Sequence, residues 1–143
     1  MWWYKHVIII AIQLIAIIFY FVGSRRFYFG KRKFVIWIIL GIVADTFMGL
    51  SPILLKLPRM EAHQCAPWSS PLFVVHVLCA TLGMFWFIGM LVYLWVKGVD
   101  HYHGWLRRFQ YKVMFRVWLF GVIIALINFT AKIFWHIRIY DYF

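Results

Sequence analysis

The sequence predicts an all-α integral membrane protein, an up-down bundle of four transmembrane helices with both termini outside. Composition is the first reason. Of 143 residues, 66% are hydrophobic and 13% charged, and the mean hydropathy is +0.85. A soluble domain of this length has too little interior to hide that much apolar surface. The second reason is run length. Four apolar runs each approach or exceed the roughly 20 residues that a helix needs to cross the hydrocarbon layer. They are continuous rather than alternating, which separates them from barrel strands. The third reason is that Lys and Arg gather at the ends of these runs.

Taken in order, the first span is expected at about 2–22. GSRRFYFGKRK follows it and is basic, unlike a small-residue cleavage site, so the run reads as a retained helix. The second span is expected at about 34–55. KLPRMEAHQCAPWSS comes next, and Pro58 and Pro67 make it a loop. The third span is expected at about 71–96, with Ser70 as cap and Pro71 in the first helical position. The fourth is expected at about 113–135. Before it, WLRRFQYK reads as an interfacial segment, Trp105 and Phe109 inward and the arginines toward phosphate. The whole chain, 1–143, is one membrane domain.

Charge orients the bundle. The first connection carries Arg25, Arg26, Lys31, Arg32 and Lys33. The third carries Lys97, Arg107, Arg108, Lys112 and Arg116. The opposite side has Lys5, Lys56, Arg59, Lys132 and Arg138, so the contrast is ten against five. The positive-inside rule places connections one and three in the cytoplasm. Topology thus accounts for most of the net charge of +11, with attraction to anionic headgroups as a secondary effect. Nucleic acid is not an expected partner. No P-loop, Rossmann glycine fingerprint, nucleophile elbow or H-E-x-x-H is present. Four acidic residues support paired-carboxylate catalysis poorly.

Polar residues inside the spans are expensive and face protein. Asp45 lies near the middle of the second span, on one face with Gly41 and Gly49. It is expected to lock a helix contact through Thr46 or Asn128, or to carry a proton or ligand. Asn128, Lys132 and His136 form a polar stripe on the fourth span. Lys132 and His136 can snorkel to headgroups, whereas Asn128 is deep and needs another helix.

His76 sits in LFVVHVLC, on a face shared with Ala80, Gly83, Phe87 and Met90. In the expected topology His6, His63, His76 and His136 share the external side. A b-type haem would use His76 with His136 or with His6. Copper would use His63, Cys65 and His76. A quinone would use a histidine with a carboxylate or lysine, and an interhelical hydrogen bond is the structural reading. Cys65 and Cys79 form neither a metal motif nor a disulfide framework. Asp100, His101 and His103 read as a solvated loop.

LFVVHVLCATLG, the basic loop DHYHGWLRR and RVWLFGVIIALINF together resemble the YozB-like family of small four-helix bacterial membrane proteins, over about residues 14–135. The resemblance implies that His76 matches the family's histidine in the third helix. It implies that His101 or His103 matches the histidine of the last loop, and Trp118 the tryptophan opening the last helix. Lys31, Arg32 and Lys33 stand where the family has a histidine, and Arg116 where a proline is common. The family implies a prokaryotic cytoplasmic membrane and a link to the maturation of haem-copper oxidases. The expected function is a non-catalytic accessory subunit or assembly factor of a respiratory or other redox membrane complex, in contact with lipid and with other subunits. The alternative is a small b-type haem or quinone subunit using His76. A transporter is disfavoured because no second intramembrane charge faces Asp45.

Overall fold

The computed structural model describes residues 3–54, 70–99, 104–135, 137 and 139–141, and of these all the regular structure is helical. Helix α1 spans Trp3–Tyr28, α2 Phe34–Leu54 and α3 Pro71–Lys97. Helix α4 runs from Gly104 to Trp135, and a 3-10 turn, Ile139–Asp141, follows. All four helices contain a stretch long and apolar enough to span a membrane.

Two helix ends differ from expectation. Helix α1 continues to Tyr28 rather than stopping near Val22. Nothing in SRRFY breaks a helix, and Arg25 and Arg26 lie in its last turn, where cations suit the helix dipole. Gly30 ends it, at φ +70°. The Lys31 N–H donates to the Arg26 carbonyl at 2.9 Å and the Gly30 N–H to Phe27 at 3.0 Å. These paired bonds form a Schellman cap. Helix α4 begins at Gly104, not near Val113, because no Gly or Pro interrupts Trp105 to Phe120. WLRRFQYK therefore forms its opening turns. They lead into a π-helical turn at Gln110–Met114 before regular helix resumes. Phe109 packs on Trp86 of α3, with ring centroids 4.9 Å apart.

The start of α3 agrees with its sequence signal. The Ser70 hydroxyl accepts from the Phe73 N–H at 3.3 Å, and Pro71 opens the helix.

Helix α1 packs chiefly on α2, and α3 on α4. Helix α4 also lies along α1, while α2 and α3 meet more thinly. This is the neighbour pattern of an up-down bundle. Buried aromatics fill its axis: Tyr20 and Phe27 from α1, Phe34 from α2, Phe87 from α3, Phe115 and Trp118 from α4. The outer surface is apolar as well, with Ile18, Ile36, Leu82 and Phe85 exposed.

Candidate functional site

Three polar layers cross the bundle. The middle layer joins all four helices. Asp45 of α2 accepts the indole N–H of Trp118 from α4 at 2.9 Å. Tyr20 of α1 lies edge-on to Trp118, centroids 4.5 Å apart, and stacks on Phe87 of α3 at 4.1 Å. The Tyr20 hydroxyl is buried beside the Asp45 carboxylate.

Small residues make this layer possible. A Cβ on Gly41 would meet the Tyr20 ring at 2.6 Å, and one on Gly83 would collide with the Trp118 Cβ. Each large ring thus lies against a glycine of a neighbouring helix, the close approach that membrane bundles use for packing.

A second layer lies toward the α1 N-terminal end. His76 Nδ1 donates to the Gly121 carbonyl at 2.8 Å. A carbonyl oxygen only accepts, so a hydrogen resides on Nδ1, and in the neutral form of the ring the lone pair is on Nε2. A Cβ on Gly121 would lie 2.9 Å from the Ala80 nitrogen and 3.0 Å from the His76 carbonyl oxygen. The same glycine therefore draws α3 and α4 together and offers the acceptor. Tyr140 of the terminal turn stacks on His76, centroids 6.2 Å apart and 20° between planes, and meets Phe73 edge-on. Its backbone N–H donates to the Asn128 side-chain oxygen at 3.4 Å.

The third layer lies toward the opposite end. Gln110, fully buried in the π turn, donates from Nε2 to the Ser24 hydroxyl at 3.0 Å. Its Oε1 is buried and finds no donor.

Asp45 is therefore bonded to Trp118, and not to either partner expected of it. Thr46 is exposed, and Asn128 is engaged with the terminal turn. Lys132 is half-buried in the last turn of α4. His63, Cys65 and His136, with Asp100, His101 and His103, lie outside the described residues, as does the side chain of His6. The haem pairs and the copper set thus have geometry only at His76. Among the described residues, no group of three or more His, Cys, Asp or Glu could hold a metal. Cys79 is a free thiol.

Sequence reasoning missed Tyr20, Ser24 and Gln110, and it reached Trp118 only through the family resemblance, not as the partner of Asp45. Tyr and Trp in an apolar chain read first as interfacial anchors. The overlooked signal for Trp118 is its N–H, which requires a partner at depth and has few acceptors to choose from. Compared with protein-family models, curated proteins and solved structures, the chain matches none.

Proposed function

We propose that the chain inserts by its four helices, with the 29–33 turn cytoplasmic and both termini outside. There it serves a larger membrane complex as a non-catalytic accessory subunit or assembly factor. The observation that carries this reading is the use made of the intramembrane polar groups. Asp45, His76 and Asn128 bond to Trp118, Gly121 and Tyr140 of the same chain. Spent this way, Asp45 and His76 fasten helices and Asn128 holds the turn after α4, rather than lining a passage. The apolar outer surface then suits lipid and neighbouring subunits. The respiratory setting rests on the resemblance to the YozB-like family.

The test is extraction of the tagged chain from its own membranes in a mild detergent, followed by native electrophoresis. It is expected to migrate in an assembly far larger than its own 17.3 kDa. Deleting the gene is expected to deplete that assembly. Migration as a lone chain, with membrane complexes unchanged by deletion, would overturn the proposal.

One observation favours a second reading, a b-type haem subunit. Metal-binding imidazoles commonly donate their second N–H to a backbone carbonyl, and His76 makes that bond to Gly121. A Soret band lost in His76→Ala would support it. A colourless, folded preparation made with haem supplied would exclude it.

A further inference from the structure

The last two turns of α1 carry a pattern that the bundle does not use. Phe21 and Arg25 are one helical turn apart, as are Val22 and Arg26. Each cation therefore stands about 6 Å beyond an apolar side chain along the axis. The Schellman cap at Gly30 then returns the chain toward α2.

These residues surround a groove of about 410 Å³, lined by Phe21, Val22, Arg25, Arg26, Phe29 and Lys31. Its walls are mostly apolar, and its cationic rim is at the helix end. Lys31 also lines an adjoining pocket of about 270 Å³, together with Arg32 and Arg107. Among the described residues, neither lining includes a carboxylate. The guanidinium of Arg25 lies 6.0 Å from the Phe29 ring centroid and that of Arg26 5.6 Å from Trp37. These rings position the cations by cation–π contact without neutralising them.

We infer that this groove is a binding site for an anionic glycerophospholipid. The lipid phosphate sits among Arg25, Arg26 and Lys31, and an acyl chain lies along Phe21 and Val22. Three features support a lipid over a free anion. Arg25 and Arg26 lie in the last turn of an apolar helix whose membrane-spanning stretch ends at Tyr28, and Lys31 lies just beyond it. The groove continues from them along apolar side chains. A basic pocket at that depth is the usual way for membrane helices to hold acidic headgroups. Charge selects the headgroup: a choline cation would be repelled by the same rim, whereas a glycerol headgroup leaves the lipid net negative.

Native mass spectrometry of the detergent-purified full chain tests this, with phosphatidylglycerol, phosphatidylcholine and inorganic phosphate as probes. Phosphatidylglycerol is expected to stay bound, phosphatidylcholine to be lost, and millimolar inorganic phosphate to leave the lipid in place. The triple variant Arg25→Gln/Arg26→Gln/Lys31→Gln is expected to bind phosphatidylglycerol roughly a hundredfold more weakly, at about fivefold per charge removed. Lys33→Gln/Lys97→Gln/Lys112→Gln removes the same charge near the same end of the bundle and is expected to bind as the parent does. Unfolding midpoints identify any variant that fails to fold. Equal retention of both lipids, displacement by phosphate, or equal loss in the two triple variants would each overturn the site.

Discussion

The middle layer and the His76 layer solve one problem in different ways. In the middle, side chains from four helices meet one another. Asp45 and Trp118 bond across the bundle, and Tyr20 and Phe87 pack around them. At His76 the side chain bonds to backbone, and the contacts belong to α3, α4 and the terminal turn. Lipid supplies no hydrophobic force to press helices together, so packing and hydrogen bonds must do so. The middle layer therefore holds the whole bundle, whereas the His76 layer holds one helix pair and its C-terminal turn.

The sharpest way to break the contrast is to fill the glycine gaps. Gly83→Ala places a methyl against the Trp118 Cβ, and Gly121→Ala places one against the α3 backbone. Each is expected to cost about 1–3 kcal/mol, the usual range for overpacking. Gly49→Ala and Gly89→Ala meet nothing within 4 Å and are expected to be neutral or slightly stabilising. Unfolding by SDS in mixed micelles measures all four; equal effects would deny that the gaps matter.

Next in size is the Asp45–Trp118 bond. Trp118→Phe leaves the carboxylate without its indole donor and is expected to destabilise by about 1–3 kcal/mol. A double-mutant cycle with Asp45→Leu, which removes the acceptor, should return a coupling of roughly 1 kcal/mol, within the range found for polar pairs in membrane proteins. Zero coupling would make the bond incidental.

His76→Ala is expected to cost less, about 0.6–1 kcal/mol, and to act locally. Hydrogen exchange should rise around residues 139–141 and leave the middle of α1 and α2 unchanged. A bundle-wide rise would erase the distinction between the layers. The smallest effect belongs to Gln110 and Ser24. Replacing both, Gln110→Leu with Ser24→Ala, removes a bonded pair together with a buried unpaired oxygen. The expected change is close to zero, because deleting both partners leaves nothing unsatisfied.

The sequence made four helices legible because continuous apolar runs of that length have few other uses. It also showed the face of α3 that packs inward: Gly83, Phe87 and Met90 are all buried. The ends of α1 and α4 were harder to read, since basic residues signal a membrane boundary without ending a helix. Gly30 supplied the true stop for α1. Partner choice was the least legible feature. Spacing put Asp45 on a glycine-bearing face but could not say that an aromatic ring 73 positions away would meet it. Only the relative rotation of α2 and α4 decides that pairing.

The π turn at Gln110–Met114 has a consequence for changes in chain length. Such a turn amounts to one extra residue wound into an α-helix. Elsewhere in α4 before Trp118, deleting a residue would rotate every later side chain by about 100° and pull Trp118 away from Asp45. Within 110–114 a single deletion would restore regular pitch, with Phe109 still toward Trp86 and Trp118 still toward the axis. This stretch is the place in α4 where a one-codon deletion can be absorbed.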